Sequence, residues 1–218
     1  MNDLILHGYW RSTATYRVRI ALALKGLAFD QAPHDLRLGD QRAGDYLAIA
    51  PQGLVPALET GAGTLTQSLA ILEWLEESYP NPPLLPADAA SRAIVRGMAG
   101  LIACDIHPLN NLRVLNTLRT DFAASPAQIN GWIGRWIGEG FTALETLVHR
   151  HGGAFAFGDA PSLADCLLIP QLYSARRFNI DLADYPRLLA IDDRAVGLPA
   201  FAGAHPDVQP DADRQTKA

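Results

Sequence analysis

The alternation of hydrophobic and polar positions divides the chain into a mixed first third and a helical remainder. In the first third, short apolar runs between glycine-containing turns predict strands, and apolar positions three and four residues apart predict helices. The order is strand, helix, strand, helix, strand, strand, helix, and the first two strands should pair in parallel as a β-α-β unit. The predicted strands are 4–6, 27–36, 54–58 and 65–66, and the predicted helices are about 13–25, 43–48 and 69–78.

A proline-rich segment marks the one clear change in composition. Residues 79–86 contain four prolines, which cannot continue a helix. We therefore predict a first domain at 1–80, a linker at 81–87 and an all-helical second domain at 88–218.

Helical periodicity runs through the second domain. A capping box at Ser125 opens one helix, and an almost entirely apolar helix after Ser162 should be the buried centre of the domain. The chain from Pro206 onward is polar and is expected to fray. The other predicted helices are 88–120, kinked at Pro108, and two short ones at 174–178 and 186–196.

Composition excludes several classes of function. The net charge is −5 and no basic stripe is present, so we expect no nucleic-acid partner. No apolar run is long enough for a membrane span, and the first residues do not resemble a secretory signal. Cys104 and Cys166 suggest buried thiols in a reducing compartment, and His107 lacks cysteine partners at zinc-ligand spacing. These features predict a cytoplasmic protein without a metal.

The start of the first helix is a candidate anion site. Ser12 or Thr13 is placed to cap it, and the hydroxyl of Thr15 lies in the same turn. Unpaired N–H groups and the positive end of the helix dipole favour a negative charge there, and Arg11 and Arg17 add positive charge beside it. The alternative is an ordinary capped helix of an α/β domain.

Four segments resemble the zeta class of soluble glutathione transferases, which includes maleylacetoacetate and maleylpyruvate isomerases. The resemblance covers almost the whole chain. It implies an α/β thioredoxin-like N-terminal domain that binds glutathione as cofactor, an all-α C-terminal domain that binds substrate, and a homodimer. The segments that carry it are 11–22, 52–58, 67–71 and 104–111.

One departure from the class concerns the start of the first helix. The class usually has Ser-Ser-Cys where this chain has Ser12, Thr13 and Ala14, so no protein thiol can act there. A mechanism in which glutathione supplies the sulfur is unaffected. By resemblance, Ser12 donates a hydrogen bond to that sulfur, with Thr13 and Thr15 as alternatives, while a plain N-cap role remains possible.

The resemblance also predicts how the rest of glutathione is held. A cis bond between Val55 and Pro56 would present the Val55 backbone to the cysteinyl part of the tripeptide. Gln67 and Ser68, at a helix start, would bind the γ-glutamyl carboxylate, and residues 40–41 the glycyl end. A turn proline and a simple helix cap are the structural alternatives.

Substrate recognition is assigned to the arginines and to one face of a helix. His107 and Asn111 are four apart and should share a face that, by resemblance, borders glutathione and substrate. His107 is a candidate catalytic residue or a packed histidine. Arg11 and Arg176 are the first candidates for the carboxylates of a dicarboxylate substrate, and the next are Arg113 and Arg177.

The function that the resemblance implies is a glutathione-dependent cis–trans isomerase. Reversible addition of a thiolate to a conjugated double bond allows rotation and consumes no glutathione. The preferred substrate is maleylacetoacetate, from tyrosine breakdown. The alternatives are maleylpyruvate, a transferase or dehalogenase acting on small electrophiles, and a glutathione-binding protein without catalysis.

Overall fold

A computed structural model describes residues 3–213 of the chain, in two compact units. One unit consists of the chain up to Pro83 together with the chain from Val196 onward, and the other is Leu84–Ala195. Within residues 3–213, none of the helices combines the length and the hydropathy needed to cross a lipid bilayer.

The first unit contains a mixed sheet with the predicted order of elements. Among the described residues the strand order is β2-β1-β3-β4, with β1 parallel to β2 and antiparallel to β3, and β3 antiparallel to β4. The parallel β1-α1-β2 unit predicted from the sequence is therefore confirmed. The bounds are β1 Ile5–Gly8, α1 Thr13–Leu24, β2 Asp30–Pro33, α2 Gly44–Ile49, β3 Ala57–Thr60, β4 Gly63–Thr66 and α3 Ser68–Ser78.

The register of the sheet places three loops at the same end. His7, near the end of β1, pairs with Ala57 at the start of β3, and Ala57 also pairs with Thr66 at the end of β4. Three loops therefore begin or end beside one another: the loop from β1 into α1, the loop that enters β3, and the loop from β4 into α3. These are the loops that carry the predicted glutathione-binding residues.

Two strands are shorter than predicted. β3 begins at Ala57 and not at residue 54, because Pro56 has no N–H to donate to a neighbouring strand. β2 spans Asp30–Pro33, so residues 27–29 connect α1 to the sheet. The structure contains the cis peptide bond predicted between Val55 and Pro56, and a second one between Asn81 and Pro82.

The second unit is helical, and its predicted long first helix is interrupted. A π-helical turn at Leu101–Ile106 and a 3₁₀ turn at Pro108–Asn110 separate two shorter α-helices. Proline removes a backbone donor, so the change at Pro108 is a break and not only a kink. The helices are α4 Ala89–Gly100, α5 Leu112–Thr120, α6 Pro126–His151, α7 Leu163–Arg177 and α8 Pro186–Val196.

The helix starts predicted at Ser125 and after Ser162 are both correct. Ser125 and Ser162 each form a capping box, at α6 and α7 respectively. The side chains of α7 are buried almost all round, as its apolar sequence predicted. The predicted separate helix at 174–178 is wrong, because Ser174 and Ala175 stay buried and continue α7 to Arg177.

The C-terminal chain differs from its prediction. Sequence patterns placed it in the helical domain, but from Val196 it groups with the first unit, where α9 (Pro199–Ala204) packs on α1. The expected fraying after Pro206 is contradicted up to residue 213. Gln209 is buried, and its Nε2 donates to the carbonyls of Gly203 and His205. Residues 214–218, which were also expected to fray, lie outside the described residues.

Candidate active site

The N-terminus of α1 presents one accessible hydroxyl. Ser12 is the N-cap, with extended backbone, and its Oγ accepts a hydrogen bond from the Thr15 N–H at 3.2 Å. The side chain is half-buried, so its own proton can be donated outward to a ligand. The first turn of α1 contains no acidic residue, which leaves the positive helix end uncompensated from within the helix.

The other residues of this turn face inward. Thr13 and Thr15 are only 6% and 1% exposed. Thr15 packs against Gly8 of β1 so closely that a Cβ at Gly8 would lie 2.3 Å from the Thr15 methyl carbon. Ala14 is buried and brings no sulfur to the site. Ser12 is therefore the hydroxyl of this turn best placed to meet a bound thiol.

The loop before Ser12 is fixed from two directions. The Trp10 N–H donates to the Asp211 carboxylate at 2.9 Å, and the Trp10 carbonyl accepts from Arg19 Nη2 at 2.9 Å. The Arg11 guanidinium carbon lies 5.3 Å from the centre of the Trp10 ring, within cation–π range. The half-buried Arg11 thus stands beside Ser12 on a loop held by the C-terminal chain, a connection that the sequence did not reveal.

The loop with the cis bond is supported by a buried tyrosine. The Tyr46 hydroxyl donates to the Leu54 carbonyl at 2.8 Å, and Val55 packs against the buried group formed by Tyr46, Ala50 and Ala57. Burial raises the pKa of Tyr46 to about 12, so this donor keeps its proton at physiological pH. The position of the Val55 backbone is therefore insensitive to pH through this contact.

A pair of histidines, His7 buried and His34 half-buried, contacts the same tyrosine. His7 Nε2 contacts Glu59 Oε1 at 2.5 Å, and His7 Nδ1 lies 2.9 Å from His34 Nε2. The His34 ring packs on Tyr46 with ring centres 4.3 Å apart. Burial, reinforced by the nearby His7, lowers the pKa of His34. The neutral form of the half-buried His34 is therefore favoured beside Tyr46.

The start of α3 is the second helix terminus at this end of the sheet. Its N-cap, Gln67, has φ of +68°, a backbone conformation that residues with a Cβ rarely adopt. Gln67 Nε2 donates to Gln52 Oε1 at 2.5 Å, which joins this terminus to the loop before β3. Ser68 Oγ accepts from Arg17 Nη1 at 3.1 Å. The sequence suggested Arg17 only as a positive charge beside the anion site at the start of α1, whereas its side chain reaches the start of α3.

The loop at residues 40–41 adjoins the same region. A Cβ at Gly53 would lie 2.9 Å from the Gln41 carbonyl oxygen, so the Gln41 backbone lies close to the loop before β3. The Asp40 carboxylate instead accepts from the Asp35 N–H at 2.8 Å. Of the two residues considered for the glycyl end, the structure leaves Gln41 better placed.

In the second unit, His107 and Asn111 do not share a helix face. The 3₁₀ turn lies between them, and Asn111 has extended backbone as the N-cap of α5. Its side chain accepts from the Arg113 N–H at 3.1 Å. The predicted i, i+4 relationship is wrong, because the 3₁₀ turn and the extended backbone of Asn111 interrupt the α-helix that it required.

The two arginines at the end of α7 have different surroundings. Arg176 Nη1 forms an ion pair with Asp192 of α8 at 2.6 Å, although 46% of the arginine side chain is exposed. Arg177 lies over the rings of Tyr173 and Phe178. A substrate carboxylate bound by Arg176 would share this arginine with Asp192.

Comparison with known families divides the chain into an N-terminal and a C-terminal domain. Residues 6–83 match the N-terminal domain of glutathione S-transferases, and residues 126–204 match the C-terminal domain. The chain belongs to the glutathione S-transferase family. Its similarity to individual members identifies the zeta class.

Two curated relatives align over nearly their whole length. A maleylpyruvate isomerase from a Ralstonia species is 50% identical over 95% of this chain and 99% of its own. A maleylacetoacetate isomerase from Pseudomonas aeruginosa is 50% identical over 94% of this chain and 97% of its own.

Solved structures give the same result and confirm the predicted fold. A holo maleylpyruvate isomerase, described as a bacterial zeta-class glutathione S-transferase, superposes with a TM-score of 0.94 at 49% identity, covering 96% of this chain and 100% of its own. A maleylacetoacetate isomerase from Anaeromyxobacter dehalogenans has glutathione bound in its active site. It superposes with a TM-score of 0.88 at 45% identity over 98% of this chain and 100% of its own.

Proposed function

We propose that this zeta-class glutathione S-transferase is a glutathione-dependent isomerase that converts maleylacetoacetate to fumarylacetoacetate. The single observation that carries the chemistry is the half-buried Ser12 hydroxyl at the N-terminus of α1, whose first turn contains no acidic residue. A hydroxyl donor and a helix N-terminus both favour a thiolate over a thiol. The relatives named above, with the same fold, carry the names of isomerases acting on maleyl compounds.

The residues at this end of the sheet fit glutathione. Bound glutathione supplies a thiolate that adds reversibly to the cis double bond and so permits rotation. Ser12 holds the sulfur in its charged form, and the Val55 backbone pairs with the cysteinyl part. Gln67 and Ser68 offer a helix N-terminus, backed by the Arg17 cation, to the γ-glutamyl carboxylate.

The arginines act on the substrate. A maleyl dicarboxylate carries two negative charges, and a protein of net charge −5 needs local cations to hold it. Arg11, beside Ser12, and Arg176, on α7, bind its carboxylates and stabilise the charge that develops on its carbonyl oxygen. His107 and Asn111 border the substrate and cofactor, with His107 as a candidate catalytic group.

Maleylpyruvate is the second candidate substrate. A maleylpyruvate isomerase is 50% identical to this chain, as is a maleylacetoacetate isomerase, so identity does not separate the two. Conjugation or dehalogenation of small electrophiles, and glutathione binding without catalysis, are the remaining alternatives.

We also propose that the protein is a cytoplasmic homodimer. The resemblance to the zeta class supports the dimer. The two separate cysteines, of which Cys166 is buried as predicted and Cys104 is exposed against the prediction, suit a reducing compartment. Sedimentation at micromolar protein concentration tests the assembly, and a monomer would contradict it.

Initial-rate measurements test the function. Maleylacetoacetate and maleylpyruvate are assayed separately, with and without glutathione. We expect isomerisation only with glutathione and a higher kcat/KM for maleylacetoacetate. A higher value for maleylpyruvate would select the second candidate, and no isomerisation of either would reject the proposal.

A further inference from the structure

Arg17 is a buried arginine whose side chain ends at a second helix. It lies on α1 and is only 2% exposed, and its Nη1 donates to Ser68 Oγ at 3.1 Å. Ser68 is itself 7% exposed and is the first residue of α3. The guanidinium therefore connects the helix that begins at Ser12 with the helix terminus proposed for the carboxylate of glutathione.

This contact fixes what the Ser68 hydroxyl can do. A guanidinium has five N–H donors and no acceptor, so Ser68 Oγ must be the acceptor in the pair. The hydroxyl proton of Ser68 is then directed away from Arg17 and is available to a ligand. The positive charge also lies within 3.1 Å of that hydroxyl oxygen and adds to the field of the α3 N-terminus.

We propose that Arg17 is a positioning residue that makes the start of α3 selective for thiols carrying an α-carboxylate on a γ-glutamyl group. It orients the Ser68 hydroxyl as a donor and supplies a fixed positive charge behind it. Arg17 acts through Ser68 and is not itself a catalytic residue. The inference rests on the proposed function, because it requires that this site binds glutathione.

Arg19 provides a matched control on the same helix. It is also 2% exposed, but its guanidinium donates to the backbone carbonyls of Ala204 and Trp10. Replacing either arginine removes a buried cation from α1. Only replacement of Arg17 should change the recognition of a carboxylate.

The experiment compares two ligands by calorimetry on the full chain. One is glutathione, and the other is the same peptide with 4-aminobutyrate in place of the γ-glutamyl group, which lacks only the α-carboxylate. The readout is the ratio of their dissociation constants, because a general loss of stability or packing weakens both ligands equally. Thermal unfolding of each variant is measured alongside.

The wild-type protein should prefer glutathione. Arg17→Gln and Ser68→Ala should each shrink the ratio roughly tenfold or more, the loss expected for one charge-assisted hydrogen bond. Arg17→Lys, which keeps the charge without the planar fork, should give an intermediate ratio. Arg19→Gln should lower stability and leave the ratio unchanged.

Three outcomes would overturn the inference. In the first, Arg17→Gln weakens the binding of both ligands by the same factor, which would indicate that Arg17 contributes only to packing. In the second, wild-type protein binds both ligands equally well, so that glutathione binding stands and only the inference fails. In the third, Ser68→Ala leaves the ratio unchanged, which decides the matter even if Arg17→Gln does not fold. Failure of the wild-type protein to bind glutathione at all would instead remove the proposed function itself.

Discussion

Replacement of Asp165 by alanine should lower the free energy of unfolding of the protein. The Asp165 side chain is fully buried at the start of α7 and accepts three hydrogen bonds, from Ala156 N (2.8 Å), Ser162 N (2.8 Å) and Ser162 Oγ (2.7 Å). Asp165→Ala leaves three buried donors without this acceptor. At about 1–3 kcal/mol each, and because neighbouring losses are not additive, we expect the free energy of unfolding to fall by ~3–5 kcal/mol.

The loss should depend on pH in a defined direction. Burial raises the pKa of Asp165 from its ordinary value of 3.8 to about 6, against the opposing effect of its hydrogen bonds. The folded protein therefore holds this proton more tightly than the unfolded chain. The resulting stabilisation is complete below the unfolded pKa and is lost as pH rises through the folded one, about 3 kcal/mol in total.

Urea unfolding at matched protein concentration measures this effect. The difference in unfolding free energy between wild type and Asp165→Ala should shrink from pH 4 to pH 6 and stay constant above. Asp159→Ala is the control, since this exposed carboxylate accepts one backbone hydrogen bond, from Ala154 N–H. A difference that instead grows between pH 4 and pH 6 would contradict a raised pKa for Asp165, because the hydrogen bonds would then lower that pKa more than burial raises it.

Four further predictions concern the active site. Ser12→Ala should lower kcat roughly 10- to 150-fold, because one hydrogen bond of ~1.5–3 kcal/mol to the thiolate is lost, and should change glutathione affinity little. If the pH–rate profile of the variant were unchanged, a donor other than Ser12 would have to stabilise the thiolate. Ala14→Cys should leave the isomerase rate broadly unchanged, and a large gain in measured kcat would show that a protein thiol matters. Arg11→Met and Arg176→Met should each reduce kcat/KM for the maleyl substrate roughly 10- to 150-fold, which corresponds to one lost charge-assisted hydrogen bond of ~1.5–3 kcal/mol. Glutathione and substrate are titrated separately on each variant, and a loss of glutathione affinity instead would move these arginines to the cofactor site. Asp211→Ala should lower kcat by releasing the loop before Ser12, whereas Asp211→Asn, which retains an acceptor oxygen, should keep most of it; equal kcat values for the two variants would exclude this role.

Local sequence patterns were sufficient for most of the first unit. The glycine-containing turns, the caps and the apolar spacing around α1 specify elements from neighbouring residues, so the β1-α1-β2 unit could be predicted. The resemblance supplied the cis bond at Val55–Pro56, which base rates alone disfavour because only ~5–6% of X–Pro bonds are cis.

The errors arise where distant or irregular contacts decide the structure. Trp10 and Asp211 are 201 positions apart, and no local pattern announces that a polar tail will hydrogen-bond to the loop before Ser12. The 3₁₀ turn at Pro108–Asn110 lies between His107 and Asn111 and breaks the α-helical spacing on which the predicted shared face depended. Similarly, the sequence predicted Arg17 only as a charge near the start of its own helix, α1. Its long side chain instead reaches the start of a different helix, α3, where it contacts Ser68.

The stoichiometry of glutathione shows whether it acts as a cofactor of an isomerase or is consumed by a transferase. Purified protein is given a maleyl substrate in large excess over glutathione, and trans product and free thiol are measured at the end of the reaction. We expect many molecules of product per molecule of glutathione, with all of the free thiol recovered. Product formation that stops at one equivalent, with loss of free thiol, would contradict it and identify a glutathione-consuming transferase.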